Sequence, residues 1–327
     1  MSEENLCVDP SFRCPNRIDR INSKWVKHGQ EMIDNEFPIQ LDIELNNNCN
    51  FRCPNCPQST ENILIEYMPL SLFRSLILEG ILESGFESIK LQYRGEPLLY
   101  PQFIEALKFA KSVGVYIHFN TNGSLLTDEI INALIEYRVD KVIFSIDSSN
   151  PTVYNRMRKG GDFHKTFKNI LKLYTEKLKR DSKYPHIRVQ AVYCDDNKEE
   201  IDSGRYNNLF ETVANEVGHE DMFDFTKPLE DKTELPNWHC GQLWQRLVIL
   251  SDGTVLPCCG GIDHSRGVIY GLGNVRDNTL HEIWNSDDLQ IIRYLHKKGE
   301  SHEVEMCAHC KIRKYVVDKI KKEIDKI

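Results

Sequence analysis

The sequence predicts an α/β fold: a partial (β/α)6 TIM-like barrel followed by a small C-terminal α+β domain. Two observations carry this expectation. Between residues 38 and 226 short apolar runs alternate with segments of helical period, the pattern of parallel strands joined by right-handed crossovers. Six such strands are too few to close an eight-stranded barrel. Beyond a polar stretch from Lys227 to Trp238 (KPLEDKTELPNW) the alternation stops, and a hairpin with short helices follows. The expected divisions are an N-terminal extension (1–36), the barrel (37–226), the C-terminal domain (227–310) and a final helix (311–327).

Each element has a local reason. Ile39–Leu45 (IQLDIEL), Ser88–Gln92, Tyr116–Asn120, Lys141–Ser145 and His186–Tyr193 read as strands, because β-branched and aromatic residues recur at period two. Ser71–Glu83, Gln102–Val113, Thr127–Tyr137, Phe163–Lys179 and Ile201–Val217 read as helices, with Thr127 as an N-cap and Gly114 as a C-cap. A short sixth strand is expected at Met222–Thr226. In the C-terminal part Leu247–Leu250 and Thr254–Leu256 flank Asp252-Gly253, a hairpin turn signal. Thr279–Trp284 and Asp288–His296 are short helices, and Lys311–Ile327 is a Lys-rich amphipathic helix. The first 36 residues show no element signal.

Composition removes several function classes. The chain has 327 residues and a formal charge of −8, from 41 basic and 49 acidic side chains. An acidic surface is poor at holding phosphate backbones, so no nucleic-acid partner is expected. No apolar run approaches the roughly 18 residues that cross a bilayer, and the start MSEENLCVDP lacks the basic region of a signal peptide. No membrane association and a cytoplasmic location are therefore expected. The informative count is eleven cysteines. An odd number in a reducing compartment argues against a disulfide framework and for metal or redox chemistry.

Their grouping sharpens that reading. Cys49, Cys53 and Cys56 share one turn after the first strand, spaced Cys-x3-Cys-x2-Cys. Structural zinc wants four protein ligands and no fourth is local. A four-iron cluster held by three thiolates instead leaves one iron open to another ligand. Cys258 and Cys259 are adjacent on the hairpin, Cys307 and Cys310 form Cys-x2-Cys, and Cys7, Cys14, Cys194 and Cys240 stand singly.

The cysteine turn resembles that of the radical S-adenosylmethionine (radical SAM) superfamily, and three further segments match in order. Arg94-Gly95-Glu96-Pro97 resembles the superfamily's Gly-Gly-Glu-Pro, with Arg94 in place of the first Gly. Asn120-Thr121-Asn122-Gly123 and Ser145-Ile146-Asp147 resemble the ribose-contacting strand ends. Arg158 resembles the arginine that grips the methionine carboxylate. The resemblance implies that Cys49, Cys53 and Cys56 hold a [4Fe-4S] cluster and that Glu96, Asn120, Ser145 and Arg158 bind S-adenosylmethionine (SAM). Asn55 replaces an aromatic residue common before the last Cys, so adenine packing is expected from Phe51.

Cys240, Cys258, Cys307 and Cys310 resemble the ligands of the superfamily's C-terminal SPASM/twitch extension, in the shorter form with one auxiliary [4Fe-4S] cluster. Zinc is the alternative for four cysteines. Four thiolates would close the auxiliary cluster, which then moves electrons and binds no substrate. The resemblance implies reductive cleavage of SAM to a 5′-deoxyadenosyl radical and an external electron donor such as flavodoxin or ferredoxin. It also implies hydrogen abstraction from a small molecule.

Cys259 and, secondly, Cys194 are the candidate hydrogen donors that would turn oxidation into epimerisation. Tyr93, Arg94, Gln190, Gln242, Trp244 and Arg246 are candidate substrate contacts. The auxiliary spacing resembles that of 2-deoxy-scyllo-inosamine dehydrogenase and related carbohydrate enzymes, so a sugar or aminocyclitol substrate is expected. The alternatives are a ribosomally made peptide or, in another class, a non-catalytic iron–sulfur or zinc module.

Overall fold

The computed structural model describes residues 17–60, 63–223 and 238–324. Cys7, Cys14, most of the expected linker and the last three residues lie outside the described residues. Helix α1 (Arg17–Glu31) leads into strand β1 (Gln40–Ile43), and α2 (Leu70–Leu82), β2 (Ser88–Lys90), α3 (Phe103–Ser112) and β3 (Tyr116–Thr121) follow. Then come α4 (Asp128–Glu136), β4 (Lys141–Ser145), α5 (Pro151–Met157), α6 (Phe163–Lys179) and β5 (His186–Tyr193). Two short helices, α7 (Lys198–Asp202) and α8 (Arg205–Phe210), precede β6 (Glu216–Asp221).

The C-terminal part contributes β7 (Arg246–Ile249), β8 (Thr254–Leu256), β9 (Ile262–Asp263), β10 (Val268–Ile269) and β11 (Gly273–Asn274). Its helices are α9 (Leu280–Trp284), α10 (Asp287–Lys297), α11 (Glu305–Ala308) and α12 (Lys311–Ile324).

Among the described residues one sheet has the order β11-β8-β7-β1-β2-β3-β4-β5-β6. Strands β1 to β6 are parallel neighbours, as the βα alternation predicts. The C-terminal hairpin does not form a separate sheet. Its strand β7 pairs in parallel with β1, Leu41 facing Leu247, and β8 and β11 continue antiparallel beyond it. The hairpin therefore presents its cysteines beside the barrel.

Period-two burial separates the faces of the sheet. Leu41, Ile43, Ile89, Ile117, Phe119, Val142, Phe144, Ile187 and Val189 are fully buried in the main core under the helices. The opposite face is polar and paired near the strand beginnings. Ser88 donates to Gln40 at 3.2 Å, His118 Nε2 lies 2.9 Å from the same oxygen, and Arg246 donates to Asp42 at 2.8 Å. Burial, then the charge of Lys90, pushes His118 down to about 3, so the ring is neutral.

Three element expectations are corrected. The single helix over 201–217 is two helices, because Gly204 adopts a left-handed φ of 77° between them. The sixth strand of the sheet is Glu216–Asp221, since Val217 pairs with Val189, where the end of a helix was expected; of the expected strand Met222–Thr226, residues 224–226 lie outside the described residues. The apparently signal-free N-terminus holds α1. It docks on the C-terminal part: Arg246 stacks on Trp25 at 4.5 Å and Gln245 donates to the Trp25 carbonyl at 2.9 Å.

Candidate functional site

The first cysteine loop follows β1 and is clamped by the two neighbouring loops. The Glu96 amide donates to the Asn48 carbonyl at 2.7 Å, and the Asn46 side chain donates to the Glu96 carbonyl at 3.0 Å. Gly95 lies so close beneath that a Cβ would stand 2.2 Å from the Asn46 oxygen; only glycine fits there. On the other side the Arg52 amide donates to the Lys159 carbonyl at 2.8 Å. Phe51 is 2% exposed and a Cβ on Gly161 would sit 3.0 Å from its ring. It is a packing residue under Gly160-Gly161, so the expectation that it stacks on adenine is corrected.

Within the loop the Phe51 amide lies 3.4 Å from Cys49 Sγ. Burial pushes Cys49 up to about 11, with Glu96, Cys53 and Cys56 adding negative charge nearby. Burial also raises Cys53, opposed by Arg158. Three thiols thus share one half-buried turn, and the charges of Cys53 and Cys56 disfavour the ionisation of Cys49. A bound polycation reverses that cost, because metal coordination deprotonates thiols.

The candidate SAM residues surround this loop. Glu96 is buried and accepts from Thr121 Oγ1 at 2.6 Å, the Asn122 amide at 2.8 Å and the Leu98 amide at 3.2 Å. Burial nevertheless raises its carboxyl to about 7. Arg158 lies against Cys53 and is engaged by Asp147, with Nη2 to Oδ1 at 2.9 Å and Nε to Oδ2 at 2.6 Å. Asn120 and Ser145 are half-buried near the ends of β3 and β4, on the polar face, and their side chains make no hydrogen bond within the described residues.

The second set gathers residues far apart in the chain. Cys240, Cys258, Cys307 and Cys310 line one small cavity, together with Trp238 and Arg313. Burial pushes Cys240 up to about 12 and raises Cys258, Cys307 and Cys310, each further raised by the charge of its neighbours. Backbone amides reach sulfur at Cys240, from Gln242, and at Cys310, from Ile312 and Arg313. All nine described cysteines are free thiols. Among the described residues no three His, Cys, Asp or Glu side chains close on a single ion-sized point. Thiolates spread around a cavity and met by N–H donors suit a polynuclear cluster better than one zinc with its 2.3 Å bonds.

Family comparison decides between these readings. Residues 43–188 match the radical SAM superfamily and residues 240–311 match the SPASM iron–sulfur cluster-binding domain. The chain belongs to the radical SAM superfamily. Its cofactors are accordingly SAM and [4Fe-4S] clusters, which the two cysteine sets suit.

Across 84% of its length this radical SAM chain is 26% identical to a tungsten-containing aldehyde ferredoxin oxidoreductase cofactor-modifying protein of Pyrococcus furiosus, covering 87% of it. It is 23% identical to a PqqA peptide cyclase of Xanthomonas oryzae pv. oryzae, covering 84% of this chain and 80% of the relative. Two solved structures share the fold. Streptococcus suis SuiB bound to precursor peptide SuiA has a TM-score of 0.61 and 16% identity, over 89% of this chain and 76% of that one. BtrN with AdoMet and 2-DOIA has a TM-score of 0.53 and 18% identity, over 85% and 94%.

The remaining expected contacts divide sharply. Arg94, in place of the family's Gly, forms a two-pronged pair with Glu44 at 2.8 and 2.7 Å, and Glu44 also holds Ser251 at 3.0 Å. Trp244 is fully buried and donates to Asp34, so it is not a substrate contact. Arg246 is spent on Asp42 and Trp25. Gln190, half-buried beside Ser145, keeps an unbonded side chain within the described residues.

Cys259 is half-buried, its amide facing Gln242 Oε1 at 3.4 Å. It lies within electrostatic reach of Tyr93, Arg246, Cys240 and Cys310, between the auxiliary cavity and the barrel. Cys194 begins the turn into α7, its amide donating to Asn197 at 2.9 Å. Sequence reasoning missed Lys90, the polar-face cation that has no ion pair within the described residues, and His296 and Arg313 at the auxiliary cavity. Nothing local marks those three, because their meaning lies in long-range neighbours.

Proposed function

We propose that this radical SAM enzyme abstracts a hydrogen atom from an unactivated carbon of a peptide. The observation that carries the peptide reading is an open groove of about 560 Å³ beside the first cysteine loop, lined by Asn47, Asn48, Arg52, Gln58 and Ile63–Ile65 among others. Its rim is extended chain. Asn47 holds Leu64 and Glu66, Asn46 bridges to Tyr67, and the amide and carbonyl of Ile65 make no hydrogen bond within the described residues. Leu64 and Ile65 are 79% and 52% exposed. A small polyol is normally enclosed, whereas an open rim with unspent main-chain groups suits an extended polypeptide. The PqqA peptide cyclases and SuiB, matched over most of this chain, support the same class.

When bound, the first cluster and SAM supply the 5′-deoxyadenosyl radical, with electrons from a donor such as flavodoxin or ferredoxin. The chain supplies the rest. Cys49, Cys53 and Cys56 hold the cluster, Glu96 and Arg158 receive the methionine end of SAM, and Asn120 and Ser145 offer their free side chains to the ribose. Cys240, Cys258, Cys307 and Cys310 hold the auxiliary cluster. Cys259 is the candidate hydrogen donor, which would make the outcome an epimerisation and its absence from the chemistry a net oxidation. A reducing cytoplasm suits these free thiols.

The test is 5′-deoxyadenosine release by anaerobically reconstituted enzyme given low-molecular-mass cell extract. Stimulation that disappears after protease treatment of the extract is expected. Stimulation that survives protease overturns the peptide reading and restores the sugar or aminocyclitol. Once product is in hand, Cys259→Ala should stop product formation while 5′-deoxyadenosine release continues; unchanged product assigns Cys259 to packing.

A further inference from the structure

His296, on α10, is 1% exposed and stands behind two of the auxiliary cysteines, Cys240 and Cys307. Its Nδ1 accepts the backbone N–H of Cys240 at 3.1 Å, and its Nε2 lies 3.3 Å from Cys307 Sγ. A nitrogen that accepts a hydrogen bond carries no proton, so the ring proton is on Nε2 and points at the sulfur. One imidazole therefore joins two of the four cysteines, across 56 residues on one side and 11 on the other. Trp238 packs against it, with ring centroids 6.0 Å apart. At Cys240 and Cys310 the donors to sulfur are main-chain amides, which any residue supplies. At Cys307 the donor is a side chain.

We infer that His296 is a positioning residue that sets the reduction potential of the auxiliary cluster through an Nε2–H···S bond to Cys307. A donor to a ligand thiolate stabilises the added negative charge of the reduced cluster more than the oxidised form, which raises the potential. The same ring fixes the Cys240 main chain, so the bond geometry and the ligand position are set together. This inference rests on the reading that Cys240, Cys258, Cys307 and Cys310 hold a cluster.

The test uses the full chain with Cys49, Cys53 and Cys56 all changed to Ala, so that a potentiometric titration followed by electron paramagnetic resonance sees one cluster. His296→Leu should move the midpoint to more negative potential with the iron content unchanged, and His296→Gln, which keeps an N–H donor, should recover part of the shift. An unchanged midpoint in a fully loaded His296→Leu protein overturns the inference.

If the leucine variant loads no cluster, the parent protein labelled with ¹⁵N-histidine decides. Pulsed resonance should show one ring nitrogen coupled to the cluster, and no coupling overturns the inference. A parent that holds no iron refutes the cluster reading itself, which is a distinguishable failure.

Discussion

The hydroxyl of Tyr93 donates a 3.1 Å hydrogen bond to the carbonyl oxygen of Cys259. Three residues later Glu96 is bonded through its main chain to Asn46 and Asn48, on the approach to the first cysteine loop. The stretch 93–96 is thus a short physical link between the two cysteine sites. Tyr93→Phe removes one bond from it and should cost about 1 kcal/mol of stability, read by urea denaturation. The more telling readout is the ratio of product to 5′-deoxyadenosine, which should fall as Cys259 loses its fixed position.

Iron content separates the two cysteine sets. Reconstituted protein should hold about eight irons, as two four-iron clusters require. Changing Cys49, Cys53 and Cys56 together to Ala should leave about four and abolish SAM cleavage. Changing Cys307 and Cys310 to Ala should also leave about four, with substrate-free SAM cleavage retained.

The Arg158–Asp147 pair is two-pronged and largely withdrawn from water, with side-chain exposures of 18% and 3%. Asp147→Ala strands a buried guanidinium beside Cys53 and should destabilise the fold by roughly 3 kcal/mol, the range for breaking a buried pair. Arg158→Lys should fall between wild type and that value, because an ammonium keeps the charge and loses the fork. Chemical denaturation orders the three proteins.

Glu96 predicts a pH slope. Its carboxyl is raised by burial from the ordinary 4.5 to about 7 in the folded chain. Between those values the native state holds a proton that the unfolded chain has lost. Folding stability therefore falls as pH rises through this window, by at most about 1.4 kcal/mol per pH unit from this group. Glu96→Gln should flatten that part of the profile in urea titrations between pH 5 and 7.5. An unchanged slope would assign the dependence to other groups.

Short-range chemistry was legible in the sequence. The spacing of Cys49, Cys53 and Cys56, the Thr127 cap and the alternation of β3 to β5 are properties of contiguous chain, set by periodicity and by what a few adjacent residues reach. Assignments that depend on distant partners were not. Arg94 and Arg246 look like available cations until Glu44 and Asp42 neutralise them. Phe51 looks like a stacking ring until Gly161 closes over it.

The sequence by itself determined the Cys49-x3-Cys53-x2-Cys56 turn and the strand–helix alternation, which are written within short windows, and through its resemblance to the radical SAM superfamily the family and the cofactors. Only the tertiary structure decided that the C-terminal hairpin joins the barrel sheet through β7 and β1, and that His296 stands between Cys240 and Cys307. Both relationships arise when residues dozens to hundreds of positions apart share a register or a cavity, and that is chosen by burial of the whole core, not by any local preference.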